Sequence, residues 1–333
     1  MSQAKQQTVE DFRMNVIYAF NGDADGLCAL QQLRLADPRQ AKLVTGVKRD
    51  IKLLDRVIAD EGDEVIALDV SLDTNRAGLS RLLDSGAYVQ YFDHHFAGEQ
   101  PDHERFTSHI DTASDVCTSI LVDRYLGGAY HAWAIAAAFG DNLPKVANTM
   151  AAAAGINASA RATLEKLGIY LNYNAYGESL EDLHFDPALL AEEMLPYNDP
   201  LEFVRNSKAF AALSTGYEAD MELARQLQPV RQGAASSIVM LPDEAWARRA
   251  IGVLANELMQ AQPGHAIAIL SPKSRGGFTV SIRVPTNSSL GADEFCRAFP
   301  TGGGRRGAGG INELPTAEFD RFADLFETRF TAS

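Results

Sequence analysis

Several apolar runs of this 333-residue chain end in acids, and one ends in an acid followed by two imidazoles. Asn21-Gly22-Asp23-Ala24-Asp25-Gly26 follows the run Met14–Phe20. Asp69 stands at the end of the run Glu64–Val70. Asp93-His94-His95 follows Ala87–Phe92, and Gly140-Asp141-Asn142 closes Ala132–Phe139. A single acid after a strand is ordinarily a turn residue or a helix cap. Three such endings, one of them carrying His-His, point beyond capping to a shared metal site. Carboxylate and imidazole together suit manganese, iron, cobalt or zinc better than calcium or magnesium. Taken alone, Asp23 and Asp25 read as a polar turn with an N-cap, and the terminal Glu of a calcium loop is missing. In the tail, Ser281 and Arg283 precede Gly302-Gly303-Gly304-Arg305-Arg306-Gly307. Arginines in the middle of a glycine run point to anion binding, because guanidinium forks clamp phosphate and a bare loop has no use for them.

The elements that position these groups follow from periodicity. Strand-length apolar runs at 14–20, 64–70 and 87–92, with a weaker one at 42–47, alternate with helical spacing at 27–35, 51–59 and 75–83. A βα alternation of this kind predicts a parallel sheet with helices on both faces. Ligands bind outside the carboxyl ends of strands in such sheets, where the acids lie. Residues 115–228 read mainly as helices, with PYNDP at 196–200 as a break and Gly216 as a weak point in 201–227. Residues 229–233 read as the linker, and as the place where the two halves would hinge. The tail predicts a strand at 237–241, a helix at 243–260 capped by Asp243, strands at 266–270 and 279–284, and a short helix at 292–298. A glycine-rich loop at 301–310 and a closing helix with a Phe319, Phe322, Phe326, Phe330 core stripe complete it. The expected fold is therefore α/β. A metal-bearing parallel-sheet domain over 13–228, including the helical part, is joined to a smaller α/β domain over 234–333.

Composition narrows the function. The chain is 46% hydrophobic, so it buries a core, and it carries a formal net charge of −14. An acidic surface disfavours long duplex nucleic acid, which is held by neutralising many phosphates. Short pieces or nucleotide phosphates remain suitable partners. Cys28, Cys117 and Cys296 are widely spaced and read as small buried hydrophobes. The polar N-terminus and the lack of a long apolar run predict a cytoplasmic chain with no membrane partner. A homodimer is compatible with the sequence and not required by it.

The series NGDADG (21–26), LDVS (68–71), FDHH (92–95) and AAFGDN (137–142) resembles the four motifs of the DHH phosphoesterase superfamily. VSIR (280–283) and GGGRRGAGG (302–310) look like the signature of its associated C-terminal domain. The resemblance spans nearly the whole chain and is nearest in architecture to RecJ-like exonucleases and the nanoRNase/pAp-phosphatase group. It implies a hydrolase using one or two Mn²⁺ ions, with Mg²⁺ or Co²⁺ as substitutes. It implies that Asp25, Asp69, His94 and Asp141 form one metal site, and that Asp23 shares a second with Asp69. His95 would face the scissile phosphate, and Asp93 would hold the histidines in register. Ser281, Arg283, Gly302, Gly303, Gly304, Arg305 and Arg306 would bind substrate.

Two departures stand out. Asn21 and Ala19 occupy positions where family members carry a metal-binding histidine, so Asn21 is at best a weak ligand. Arg305 replaces the histidine of the C-terminal signature. The expected activity is hydrolysis of short oligonucleotide or dinucleotide phosphodiesters. The alternatives are a catalytically weakened nucleotide sensor of the same fold and, third, an inorganic pyrophosphatase.

Overall fold

A computed structural model describes residues 14–285 and 287–331. The polar segment 1–13, including the expected domain start at 13, lies outside the described residues. The chain begins with β1 (Val16–Phe20), α1 (Ala24–Ala36), β2 (Ala41–Val44), β3 (Glu64–Leu68), α2 (Arg76–Asp84), β4 (Tyr88–Asp93) and β5 (Phe106–Ile110). These five strands form a sheet in the order β2-β1-β3-β4-β5, parallel throughout. β1 and β3 are apolar along almost their whole length because helices cover both faces of the sheet. One face packs on α1 and the helices that follow it, around Phe20, Leu68, Phe92 and Trp133. The other packs on α2 and a 3₁₀ turn, around Ile17, Leu54, Leu79 and Tyr91.

The helical part runs α3 (Thr118–Tyr125), α4 (His131–Gly140), α5 (Pro144–Ala153), α6 (Ala158–Asn174), α7 (Pro187–Met194), α8 (Pro200–Asn206) and α9 (Lys208–Ala224). α4 is buried nearly all round, as its run of alanines predicts. It crosses α6 closely: a Cβ on Gly168 would lie 2.0 Å from the Ala136 carbonyl oxygen. That crossing brings the C-terminal end of α4, and with it Asp141, up to the sheet.

The second unit holds β6 (Pro229–Gln232), β7 (Ser236–Met240), α10 (Ala245–Ala261), β8 (Ala266–Pro272), β9 (Phe278–Arg283), α11 (Ala292–Cys296), β10 (Gly302–Arg305), β11 (Ala308–Leu314) and α12 (Phe319–Arg329). Its six strands run β10-β11-β9-β8-β7-β6, with only β7 and β8 parallel. Phe322, Phe326 and Phe330 of the aromatic stripe are buried against this sheet. All three cysteines are free and buried.

Several sequence expectations are corrected. Residues 51–59 form only a short 3₁₀ turn, Leu53–Arg56, held by Asn75, whose side chain bonds Leu54 N–H and the Ile51 carbonyl. β5 adds a strand that periodicity does not predict; its sequence FTSHI is short, polar at its three central positions and only half-buried. The break in 201–227 falls at Ser207, which caps α9, while Gly216 sits inside α9 against the His184 ring. α10 starts after Glu244, without a side-chain cap from Asp243. The 229–233 linker is β6, the edge strand of the second sheet. A hinge there is further opposed by Arg249, whose guanidinium bonds Asp220 of α9 and Tyr173 of α6 from within the junction. The glycine-rich loop is a β-hairpin. Two of its glycines are needed for packing on α11: a Cβ on Gly302 would lie 1.8 Å from the Cys296 carbonyl oxygen, and one on Gly309 2.8 Å from the Cys296 sulfur. α11 therefore rests directly on backbone.

Candidate metal centre and cleft

All four acidic endings meet at the carboxyl edge of the parallel sheet. Asp69 leaves β3 with φ 57°, a left-handed conformation costly for a residue with a Cβ. Asn142, beside Asp141, has φ 61°. Backbone strain at two residues flanking one spot is held in place by the surrounding packing.

The geometry around His94 is the most telling. Its Nδ1 lies 2.9 Å from the Val116 carbonyl oxygen, which can only accept, so Nδ1 carries the proton. Nε2 then presents a lone pair. That lone pair faces Asp69 Oδ1 at 3.4 Å, Asp25 Oδ2 at 3.9 Å and Asp141 Oδ2 at 3.9 Å. One lone pair aimed at three carboxylates is repulsive unless a proton or a metal ion sits among them. Asp141 Oδ2 is buried without a hydrogen-bond partner among the described residues, which is what a waiting ligand atom looks like. The donor atoms form two groups around His94, one with Asp25 and Asp141 and one with Asp69 and His95, and within each the atoms lie within 4.8 Å of one another, close enough to share an ion. The donor set matches manganese or another divalent transition metal.

Neighbouring groups lock this arrangement. Asp25 accepts the Thr118 and Ser119 N–H groups, each at 2.7 Å, and so also caps α3. Thr118 Oγ1 donates to Asp69. Burial first, then the Asp69 charge, pushes the Asp25 carboxyl up to about 7. Burial works against the His94 cation, but the Asp69 hydrogen bond and the surrounding carboxylates overcome it and raise His94 to about 10. These shifts describe a site starved of positive charge. Asp93 is fully buried and accepts from His95 Nδ1 at 2.7 Å, leaving His95 Nε2 to face the cleft. The His95 side chain is 41% exposed and lines that cleft.

Asp23 stands apart from this group. Its Oδ1 accepts the Asp25 and Gly26 N–H groups, capping α1, and its Oδ2 takes the ammonium of Lys48. Asn21 is buried nearby, its side-chain oxygen unpartnered among the described residues. Lys48 is absent from the residues that the motifs single out. The one signal for it is the basic pair Lys48-Arg49 shortly after β2, again at the carboxyl edge of the sheet.

The second unit faces the cluster across a cavity of about 660 Å³. Arg305 reaches over from the hairpin to within 3.2 Å of the His94 ring and 3.9 Å of Asp141. Arg283 lines the same cavity and is braced by Asn256 and Ser281. Gly302, Gly303 and Gly304 wall an adjoining cavity with Arg49, Lys48 and Tyr176. Burial lowers the pKa of both Arg49 and Arg283, and among the described residues neither has a carboxylate partner. Gly302–Arg305 forms β10 at the edge of the second sheet, paired with β11. Arg306 points elsewhere: it bonds the Ser288 carbonyl on an exposed surface.

No protein-family model matches the sequence, and no curated protein matches it. Solved structures do match in fold. The manganese-bound RecJ exonuclease is 16% identical, aligned over 94% of this chain and 89% of its own, with a TM-score of 0.59. A DHH domain from a member of a family of ribosomal proteins is 14% identical over 96% and 88%, with a TM-score of 0.63. A pGpG-specific phosphodiesterase from Vibrio, PggH, is 15% identical over 95% and 98%, with a TM-score of 0.55.

Proposed function

From the DHH phosphoesterase fold that this chain shares, we propose that it is a divalent-metal-dependent phosphoesterase acting on short oligonucleotides or dinucleotides. The observation that carries this reading is the His94 Nε2 lone pair enclosed by Asp25, Asp69 and Asp141. These four residues would hold the ion, with Mn²⁺ the best match to their donor set. A bound divalent ion supplies Lewis acidity toward a phosphoryl oxygen and acidifies a coordinated water. The chain's own residues do the rest. His95, oriented by Asp93, presents Nε2 to the cleft, where it can donate to a phosphoryl or leaving oxygen. Arg283 and Arg49, cations without carboxylate partners among the described residues, bind substrate phosphates, and Arg305 bridges the metal cluster to the substrate side. Four cations around one cleft offset the −14 charge of the chain locally, which suits a small anionic substrate better than a long strand.

RecJ is an exonuclease and PggH a pGpG phosphodiesterase. The short end of that range fits a cavity of this size. The test is a panel of 5′-labelled oligonucleotides from two to about twenty residues, assayed with Mn²⁺ by product analysis. Turnover concentrated on the shortest members supports the proposal. Equal or better turnover on the longest refutes the substrate class, and no turnover on any refutes the enzyme.

The sensor alternative draws on the Asp23 side, where Lys48 engages a carboxylate expected to hold metal. The same panel separates the two readings: tight dinucleotide binding with no cleavage would favour the sensor.

A further inference from the structure

The two sides of the acidic cluster are not equally able to take an ion. On the His94 side, three carboxylates and an imidazole lone pair converge, one carboxylate oxygen among them unpartnered among the described residues. On the Asp23 side, both oxygens are engaged: Oδ1 by two backbone N–H groups at 3.0 and 3.2 Å, Oδ2 by Lys48. The position two residues before Asp23 offers only the amide oxygen of Asn21. The position four before it is Ala19, which has no donor and is buried in the sheet core.

Lys48 is placed with care by the fold. Its Nζ also bonds Asn172 Oδ1 at 3.0 Å. Its backbone N–H donates to the Ala175 carbonyl at 2.8 Å. The ammonium stands 5.7 Å from the centre of the Tyr176 ring, within cation–π range. Asn172 and Tyr176 thus hold the amine against Asp23, while Ala175, just past the end of α6, fixes the Lys48 backbone. Burial would disfavour its charge, but Asp23 outweighs burial and holds the Lys48 pKa above its ordinary value.

We propose that this is a one-ion centre in which the Lys48 ammonium stands where a second divalent cation would bind. This rests on the metal-dependent reading above. Charge supports it. Four carboxylates, Asp23, Asp25, Asp69 and Asp141, are balanced by one divalent ion, one ammonium and the Arg305 guanidinium. A further divalent ion at Asp23 would abut the fixed ammonium, and like charges at such separations repel strongly in a buried site. A lysine amine is a compact point charge with three donors, so it can serve a phosphoryl oxygen in the cleft while still held by Asp23 and Asn172. Substrate would then meet one exchangeable cation and one covalently tethered cation.

The test counts ions. Protein stripped by chelator and saturated with Mn²⁺ is passed through a desalting column and its manganese measured, and its electron paramagnetic resonance spectrum is recorded. One Mn²⁺ per chain with an uncoupled six-line signal is expected. Asp23→Asn should still bind one, with affinity changed less than about tenfold, whereas His94→Ala should bind none. Two Mn²⁺ per chain, a spin-coupled spectrum, or loss of the ion in Asp23→Asn would overturn the one-ion centre. No Mn²⁺ in the unmodified protein would instead overturn the metal-dependent reading beneath it, which makes the two failures distinguishable.

Discussion

The His94 and Asp23 sides of one acidic cluster are neighbours built from the same side-chain type, yet they do opposite things with it. Around His94, three carboxylates converge on one imidazole nitrogen and Asp141 keeps an unpartnered oxygen among the described residues, an arrangement that needs a proton or a metal ion between them. Around Asp23, the carboxylate is satisfied by a helix N-terminus and by a lysine of the chain itself. An acid's role is decided less by the acid than by which donors reach it first. Backbone N–H groups reach both Asp23 and Asp25, so the difference is the Lys48 ammonium, a cation supplied by the chain on one side only.

Breaking the His94 side should have the largest consequences. His94→Ala or Asp69→Ala is expected to abolish Mn²⁺ binding and to cut turnover on a dinucleotide by at least about 10²–10³-fold, the scale of losing a group that stabilises developing charge. Circular dichroism should show the fold intact. Retained manganese-dependent activity in Asp69→Ala would remove the central claim. Asp93→Asn leaves His95 without its carboxylate acceptor and is expected to cost roughly 10–100-fold in kcat, as lost orienting partners of catalytic groups do. A change confined to KM would show that Asp93 acts only in folding the strand end.

Arg305→Ala tests the bridge between the two units. It should raise KM by about 10–100-fold, following from ~1.5–3 kcal/mol for a charged hydrogen bond to a substrate phosphate, with kcat less affected. An unchanged KM would mean that substrate is gripped by Arg283 and Arg49 alone.

Protons sharpen the contrast further. Asp25 has an ordinary value of 3.8 and a folded value of about 7, so between them the unfolded chain binds fewer protons and stability of the metal-free protein falls as pH rises. His94 moves from 6.5 to about 10; its contribution is complete below 6.5 and lost as pH rises through 10. Both slopes have the same sign. Manganese displaces these protons, so its affinity should climb over the same window. The difference in Tm between Mn²⁺-loaded and chelator-treated protein is expected to widen from about pH 5 to about pH 9. A constant difference would show that neither group titrates at the ion. The smallest effect is expected at the hairpin: Gly302→Ala drives a Cβ into the Cys296 carbonyl and should destabilise by about 1–3 kcal/mol, seen as a lower thermal midpoint with kcat preserved.

Much of the fold is legible in the order of residues. The parallel sheet, its helices on both faces and the convergence of acids at strand ends follow from alternation and from where the acids fall. The departures have local causes. Glycine content makes residues 301–310 look like a loop, although close contact with α11 is what demands glycine in those strands. Pro229 and Gly233 look like a linker, although an edge strand tolerates proline where its missing N–H faces outward. Ile51–Ala59 has helical spacing, but the Asn75 side chain claims its backbone groups.

The sequence by itself determined the inventory of this protein. Its acids and histidines sit at the ends of apolar runs, two arginines lie in a glycine run, and the order of the motifs resembles that of a phosphoesterase superfamily. Periodicity and residue type are properties of short stretches, so a sequence can carry them alone. Only the tertiary structure decided how the inventory is divided. Lys48 meets Asp23 because α6, more than a hundred residues downstream, ends where Asn172 and Ala175 can hold it. Arg305 meets His94 across 211 positions of chain, and Arg306, its neighbour, turns away. Pairings of that range depend on the packing of whole elements, and no local pattern encodes which carboxylate receives an ammonium and which is left for a metal.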